Sequence, residues 1–339
     1  MTKIRIAHSP DADDAFMFTP LFQGKVGQGV FMNQPRSGVE GALPAPMIII
    51  EEVREDIETL NRLSKEGTYE VTAISFHAFP YIADKYLLLS TGACFGENYG
   101  PIIVASKPLK AKQLLKVRMG IPGKMTSAFL ALKLYEQYLA GEGHSGICYS
   151  EIPFDQIMEQ VASGKLDAGL IIHEGQLNYA EKGLHKIVDL GEWWHKETHL
   201  PLPLGGIVIR RDLDPEVIKQ VAGLIQSSIR FSLDHKEDSV KEALPFARGL
   251  DPERATRFID MYVNEKTIDM GKEGFKAVKL LLDKGYQASI LLKEVDLDEA
   301  YYNLKKGKIP SSSAEISESK KEEPSIQLSV SEPVEKPLL

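Results

Sequence analysis

Short apolar runs alternate with longer stretches of three-to-four-residue apolar spacing through most of the chain. Lys3–Ala7 alternates and predicts a first strand, closed by Ser9-Pro10, with a helix over Ala15–Phe22 capped by Asp13 or Asp14. Met47–Val53 and Tyr69–Ser75 predict two further strands. Between them Asp56–Lys65 reads as a helix, since Ile57, Leu60 and Leu63 share one face and Gly67 closes it. A helix is expected around Ala78–Lys85. Pro101–Ala105, Val117–Ile121 and Ala168–Ile172 are apolar enough for buried strands, and Ile187–Leu190 for a short one. Ser127–Leu139 and Phe154–Ser163 have helical spacing, and a shorter helix is expected near Leu177–Lys182. Residues 201–210 return as a strand, followed by helices over Pro215–Asp234, Pro252–Tyr262 and Glu273–Lys284. Strands alternating with helices imply βαβ units, hence the α/β class with a mostly parallel sheet.

Two stretches break the pattern. Gly24–Pro46 is rich in Gly and Pro and predicts a loop or insertion. Beyond Lys308 the chain turns to Ser, Glu, Lys and Pro, too polar to offset the entropy of ordering, so a disordered tail is expected over 308–339. No repeat of fixed period is present.

With 339 residues, 43% of them hydrophobic, the chain can bury a core large enough for two lobes. A net charge of −8 argues against a general nucleic-acid surface. The two cysteines, Cys94 and Cys148, give neither a disulfide framework nor a zinc-type CxxC spacing. No run approaches the roughly 18 apolar residues of a membrane span. Met1–Ala7 leads directly into a strand pattern without an apolar leader, so a cytoplasmic protein is expected.

Four polar clusters fall at strand ends or helix starts, where ligand-facing groups of α/β folds gather. Ile171-Ile172-His173-Glu174 delivers a histidine at the end of an apolar run, and imidazole exchanges protons near neutral pH. The plainer reading is a strand-end histidine bonded to backbone. Ser9-Pro10-Asp11-Ala12-Asp13-Asp14 combines short polar groups with a helix start, where capping alone would account for at least one aspartate. Ser75-Phe76-His77 ends a strand; a capping serine beside a surface histidine is its plainer account. Gly123-Lys124-Met125-Thr126-Ser127 opens a long helix, whose hydroxyls and free N–H groups suit a carboxylate or phosphate; here capping and binding are compatible. Walker A and GxGxxG patterns are missing, as is the HExxH spacing of a zinc site. Trp193-Trp194 reads as core packing ahead of an aromatic ligand wall, and nothing in the pattern decides whether His77, His195 or His199 faces a ligand.

Separated blocks, in order, carry a resemblance: Ser9-Pro10 with Asp14, Asp56–Asn61, Gly100–Ala105, Ile171–Glu174, Val188–Trp194, Leu200–Gly205 and Tyr262-Val263-Asn264. From Ile4 to Gln287, Gly24–Pro46 excepted, the chain resembles the 1,4-dihydroxy-6-naphthoate synthase family of the futalosine route to menaquinone. The resemblance implies a two-lobed fold of the type II periplasmic-binding-protein kind with a mixed, mostly parallel sheet in each lobe. Lobe 1 would comprise 1–99 and 208–307 and lobe 2 residues 100–207, with crossovers at Pro101–Ser106 and Gly206–Arg210 and the ligand between. It implies conversion of cyclic dehypoxanthine futalosine to 1,4-dihydroxy-6-naphthoate with release of a dihydroxyacetone fragment. His173 would be the general base, Thr126 and Ser127 would hold a carboxylate, and Ser75, Ser9, Asp13, Asp14 and Gly123 would contact substrate. Such a reaction needs a proton acceptor and a fixed substrate, with no cofactor and no metal. Where many members carry Cys-Pro-Asn-Asp-Thr, this chain has Asp11-Ala12-Asp13-Asp14-Ala15; Asp13 stands for an amide and Ala15 for a hydroxyl.

Two rival readings share the fold. One is a non-catalytic small-ligand binding protein, against which stand the missing leader and the histidine in the enzyme family's own block. The other is chorismate dehydration by the sister branch, which fits the His-Glu and Trp193-Trp194 blocks less well.

Overall fold

A computed structural model describes residues 2–27, 48–141 and 146–307. The chain enters through β1 (Thr2–His8), α1 (Ala12–Phe22), β2 (Ile48–Arg54), α2 (Ile57–Lys65) and β3 (Val71–Ser75), then β4 (Tyr86–Leu89) and β5 (Cys94–Gly96). It moves to a second sheet with β6 (Ile102–Ala105), β7 (Arg118–Ile121), α3 (Ser127–Ala140), β8 (Cys148–Glu151), α4 (Phe154–Ala162) and β9 (Ala168–Ile171). α5 (Gly175–Asn178), β10 (His185–Asp189) and α6 (Leu190–Thr198) finish that pass, and β11 (Leu202–Arg210) returns to the first sheet. α7 (Pro215–Asp234), α8 (Lys236–Ala243), α9 (Pro252–Tyr262), α10 (Glu265–Ile268), α11 (Gly271–Gln287), α12 (Leu297–Ala300) and β12 (Tyr301–Tyr302) follow.

The first sheet runs β12-β4-β11-β3-β1-β2 with β5 alongside β11, and the second β10-β6-β9-β7-β8. Both are mixed, but parallel pairing does not dominate. In the first, β1–β2, β1–β3 and β4–β12 are parallel, while β11 runs against β3, β4 and β5. In the second, β7 is parallel to β8 and β9, while β6 runs against β9 and β10. The reason is connectivity. Parallel neighbours need a crossover helix between them, whereas β6 and β11 each arrive from the other sheet and are free to run the opposite way.

Several elements depart from the pattern-based expectation. Ala78–Lys85 is not a helix: a single 3₁₀ turn at Phe79–Tyr81 leads into β4. Pro80 has no N–H to continue a helical ladder, and Tyr86–Leu89, buried throughout, gives no periodicity by which to tell strand from helix. β5, β8, α8 and the short α10 and α12 were not expected. Most of Gly24–Pro46, and the 308–339 tail, lie outside the described residues.

Each sheet buries its faces beneath helices. Ile4 and Ile6 of β1 are wholly covered and share one core cluster with Phe16, Phe18 and Leu21 of α1. α1 in turn packs on α7, α8 and α9. Burial of this kind contributes about 1.5–3 kcal/mol per large side chain, and it leaves the strand ends of both sheets facing one cleft. Among the described residues no helix is long and apolar enough to cross a membrane.

Candidate active site

A cavity of about 770 Å³, part of it open to solvent, lies between the two sheets. The loop after β1, the end of β3, the N-terminus of α3, the turn after β9 and the start of β11 all reach it. Ser9, Asp13, Asp14, Ser75, Thr126, Ser127 and His173 line it, so the four sequence clusters converge on one space. Ile57, Ile172, Leu204, Ile207 and Phe258 make its apolar wall, the mixture of apolar lining and few polar groups usual for small-molecule sites. Gly123 is not on the wall. Its Cα faces the Glu58 side chain so closely that a Cβ would lie 2.3 Å from the carboxylate, and Glu58 Oε2 accepts the Met125 N–H at 3.1 Å. Gly123 therefore lets α2 dock against the loop that leads into α3.

His173 is 17% exposed and sits in left-handed backbone with φ 56°, a conformation costly for a residue with a Cβ. Its Nδ1 lies 3.1 Å from Asp11 Oδ2, while Nε2 makes no hydrogen bond among the described residues. The ring stands edge-to-face on Phe154 of α4, centroids 4.9 Å apart. Arg248 also lies in left-handed backbone, φ 49°. Its guanidinium covers the same Phe154 ring at 4.6 Å. It donates to Asp11 Oδ1 from Nη2 (2.7 Å) and Nε (3.0 Å), and its Nε is 3.6 Å from Glu174 Oε2.

Asp11 corrects the capping expectation for α1. It occupies the cap position, and neither it nor Asp13 or Asp14 closes the helix end as predicted: the Asp11 side chain makes no cap bond. Its oxygens instead take the Ser9 hydroxyl (2.8 Å) and Arg248, and Oδ2 faces His173 Nδ1. Burial pushes the Asp11 carboxyl up, but His173, Arg248 and Ser9 together outweigh it and hold it below the usual range. Asp14 accepts the Ser9 N–H at 2.7 Å, yet burial keeps its carboxyl above the ordinary value. Asp13 is pushed up much further, by burial and then by Asp14, Asp11 and Glu174, and its Oδ1 is covered without a partner among the described residues. Glu174 is likewise raised, chiefly by burial, with Oε1 unpartnered in the same sense.

The α3 terminus differs from expectation in which atoms are free. Thr126 Oγ1 accepts from Phe129 N (3.1 Å) and donates to Gly123 O (2.9 Å), and the Ser127 hydroxyl donates to Leu204 O. Both hydroxyl protons are thus committed to carbonyls. What the helix end still offers an anion are the backbone N–H groups of Ser127 and Ala128, unbonded among the described residues. Ser75 is held by Asn61, which accepts from Ser75 N at 2.8 Å and donates to its Oγ at 3.1 Å.

Asp11, Glu174, Asn61 and Tyr262 stand in stretches quoted from the sequence but were given no role of their own, and Arg248 and Gln176 were not singled out; Gln176 and Tyr262 share the cavity wall through a 2.8 Å bond from the Tyr262 hydroxyl. His77 is off the wall. Burial lowers its pKa to about 4 while Nδ1 rests 3.2 Å from Thr126 O, so a neutral ring backs the α3 cap. His195 and His199 lie at the far end of α6, away from the cavity. Trp194 is buried and donates to Pro201 O at 3.1 Å, and Trp193 packs on Tyr135 and Tyr138; both serve the core. Among the described residues no three His, Cys, Asp or Glu side chains gather as a metal site would.

Known proteins resemble the chain over most of its length. A family profile described as "Menaquinone biosynthesis" matches residues 4–287. The 1,4-dihydroxy-6-naphthoate synthase of Thermus thermophilus is 36% identical over 281 residues, covering 83% of this chain and 93% of its own. That of Streptomyces coelicolor is 33% identical over 282 residues, covering 83% and 92%. A crystal structure of an Archaeoglobus fulgidus protein, 41% identical, superposes with a TM-score of 0.74 and covers 85% of this chain and 98% of that one. An alkanesulfonate-binding protein from Xanthomonas axonopodis pv. citri, 15% identical, superposes at 0.62 over 89% and 99%, a likeness of fold alone.

Proposed function

The chain belongs to the menaquinone-biosynthesis family matched over residues 4–287, and from that premise we propose that it is a carbon–carbon lyase forming 1,4-dihydroxy-6-naphthoate from cyclic dehypoxanthine futalosine. The observation that carries the reading is a histidine on the cavity wall with one ring nitrogen against a carboxylate and the other unbonded among the described residues. His173 Nε2 takes the proton whose removal starts bond breaking. General-base assistance of this kind contributes about 10²–10⁴-fold.

The rest of the cavity fixes the substrate. Its carboxylate lies at the positive end of α3, held by the Ser127 and Ala128 N–H groups, with Thr126 and Ser127 hydroxyls shaping the turn beneath them. Its ring rests on the apolar wall of Ile57, Ile172 and Phe258. Asp13, kept neutral by its surroundings, donates a hydrogen bond to a substrate oxygen, and Ser75, Ser9 and Asp14 complete the polar contacts. The lobes of this reading are 1–99 with 208–307 and 100–207, joined through Pro101–Ser106 and Gly206–Arg210, so that substrate is enclosed between them. A cytoplasmic location belongs to the same reading and suits the two unpaired cysteines, Cys94 and Cys148.

The test is incubation of purified protein with cyclic dehypoxanthine futalosine and mass spectrometry of the products. Release of 1,4-dihydroxy-6-naphthoate is expected. Tight binding without turnover would replace the enzyme with a ligand-holding protein.

A further inference from the structure

We propose that Asp11 is a positioning residue for proton abstraction, holding the His173 ring in the tautomer that leaves Nε2 as the proton acceptor. The proposal rests on the reading of His173 as the base. Its ground is geometric. An ionised carboxylate can only accept hydrogen bonds and repels a facing lone pair, so Asp11 Oδ2, 3.1 Å from His173 Nδ1, favours the ring proton on Nδ1. The Nε2 lone pair is then free, in a residue on the cavity wall.

The carboxylate is itself fixed. Ser9 donates to Oδ2 at 2.8 Å, and Arg248 donates twice to Oδ1. Three hydrogen bonds hold the two oxygens, at 2% side-chain exposure, which leaves Asp11 little freedom to rotate away from the ring. Phe154 limits the ring from another side, and the left-handed backbone at both His173 and Arg248 is the strain that this arrangement sustains. The charged groups facing the imidazole are Asp11 from the β1–α1 loop, Asp13 from α1, its own neighbour Glu174, and Arg248 from the loop before α9. Arg248 bridges Asp11 and Glu174, so the ring meets a carboxylate whose charge is partly balanced.

The proton balance is simple. A substrate C–H bond breaks, its electron pair stays on carbon, and the proton moves to Nε2. The resulting imidazolium keeps its Nδ1–H on Asp11, which stays ionised throughout. Product release and return of that proton to solvent restore the starting ring.

Two measurements test this. In Asp11→Asn, kcat should fall about 10²-fold with KM little changed. The acid limb of kcat/KM should move to lower pH, because removing an anion beside the ring disfavours a cation there. Asp11→Glu should keep the acid limb near its original place and recover part of the rate. Independently of turnover, ¹⁵N chemical shifts of His173 in the unmodified protein should show the neutral ring protonated on Nδ1. A ring protonated on Nε2, or an Asp11→Asn enzyme with kcat and acid limb unmoved, overturns the proposal. A rate loss with no movement of the acid limb also overturns it, since a merely structural role would do that. An active His173→Ala enzyme would instead sink the base assignment, while the ¹⁵N measurement would still report on the Asp11 contact.

Discussion

At the level of single residues, the cleft separates its carboxyl groups by environment. Asp11 is pushed toward the ionised form by a cation and a hydroxyl, whereas Asp13, with a covered oxygen unpartnered among the described residues, is pushed toward the neutral form by burial and by acidic neighbours. For an acid whose folded pKa lies above its unfolded one, the two states match below the unfolded value of 3.8. As pH rises past it, the unfolded chain ionises freely and the native state does not, so native stability falls until the folded group also ionises. Asp13→Asn removes that cost, about 1.4 kcal/mol for each unit of displacement. It should raise Tm at pH 7 and leave it unchanged near pH 3; equal Tm changes at both values would show that Asp13 is ionised in the native protein. His173→Ala should abolish turnover while leaving cooperative unfolding intact, since the ring is partly exposed and packs on one aromatic face. Retained activity would remove His173 from the reaction. His173 was legible in the sequence because a strand end announces itself by an apolar run that stops. Its partners were not: Arg248 is 237 residues from Asp11, in a loop that carries no periodicity, and only the packed fold brings them together.

Among the elements, α1 shows what pattern reading captures and what it leaves to tertiary structure. The helix runs through Pro20, which has no N–H to give Phe16 O. Two serines of α7 repair the ladder. Ser232 Oγ donates to Phe16 O; Ser228 Oγ donates to Met17 O (2.7 Å) and accepts from Leu21 N (3.1 Å). Ser228→Ala strands two buried backbone groups and should cost about 1–3 kcal/mol, read as a lower denaturation midpoint with an unchanged slope. A Tm within one degree of the parent would mean water or a shifted helix replaces the hydroxyl. Thr126→Val makes the complementary point at α3. Its hydroxyl caps the helix, accepting from Phe129 N and donating to Gly123 O, so the loss should appear as about 0.5–2 kcal/mol of stability, with Thr126→Ser near the parent. α7 and α9 were predicted to the residue, because long amphipathic segments with Asp caps and Pro at N1 mark their own ends. β8 was missed since Cys148–Glu151 is largely exposed and offers no apolar signal, and α8 because few of its residues face the core.

For the whole molecule, the decisive contacts are those that join the two sheets, because His173 sits on one side of the cleft and Asp11 on the other. The junction runs through backbone. Leu190 N donates to Pro101 O at 2.9 Å, which extends the β6–β10 pairing of the second sheet, and Gly191 approaches Tyr99, just before that sheet is entered, so closely that a Cβ would stand 1.9 Å from its carbonyl oxygen and 2.6 Å from Gly100 N. Neither neighbour is the movable end of a side chain, so a methyl group at 191 must push the start of α6 away from the segment that leads into β6. Overpacking of this kind costs about 1–3 kcal/mol, which for a chain of this size is a fall of roughly 2–4 °C in Tm per kcal/mol. The displacement also moves one side of the cleft against the other, so Gly191→Ala should lower kcat although position 191 touches no cavity residue. Gly223 is the control. It lies in α7, and a methyl group there would meet nothing within 4 Å among the described residues, so Gly223→Ala should raise stability by about 0.5–1 kcal/mol and leave kcat alone. If both variants behave alike, the close approach at Tyr99 does not set the spacing of the sheets, and the alignment of His173 with Asp11 must be held by the ion pairs within the cleft alone.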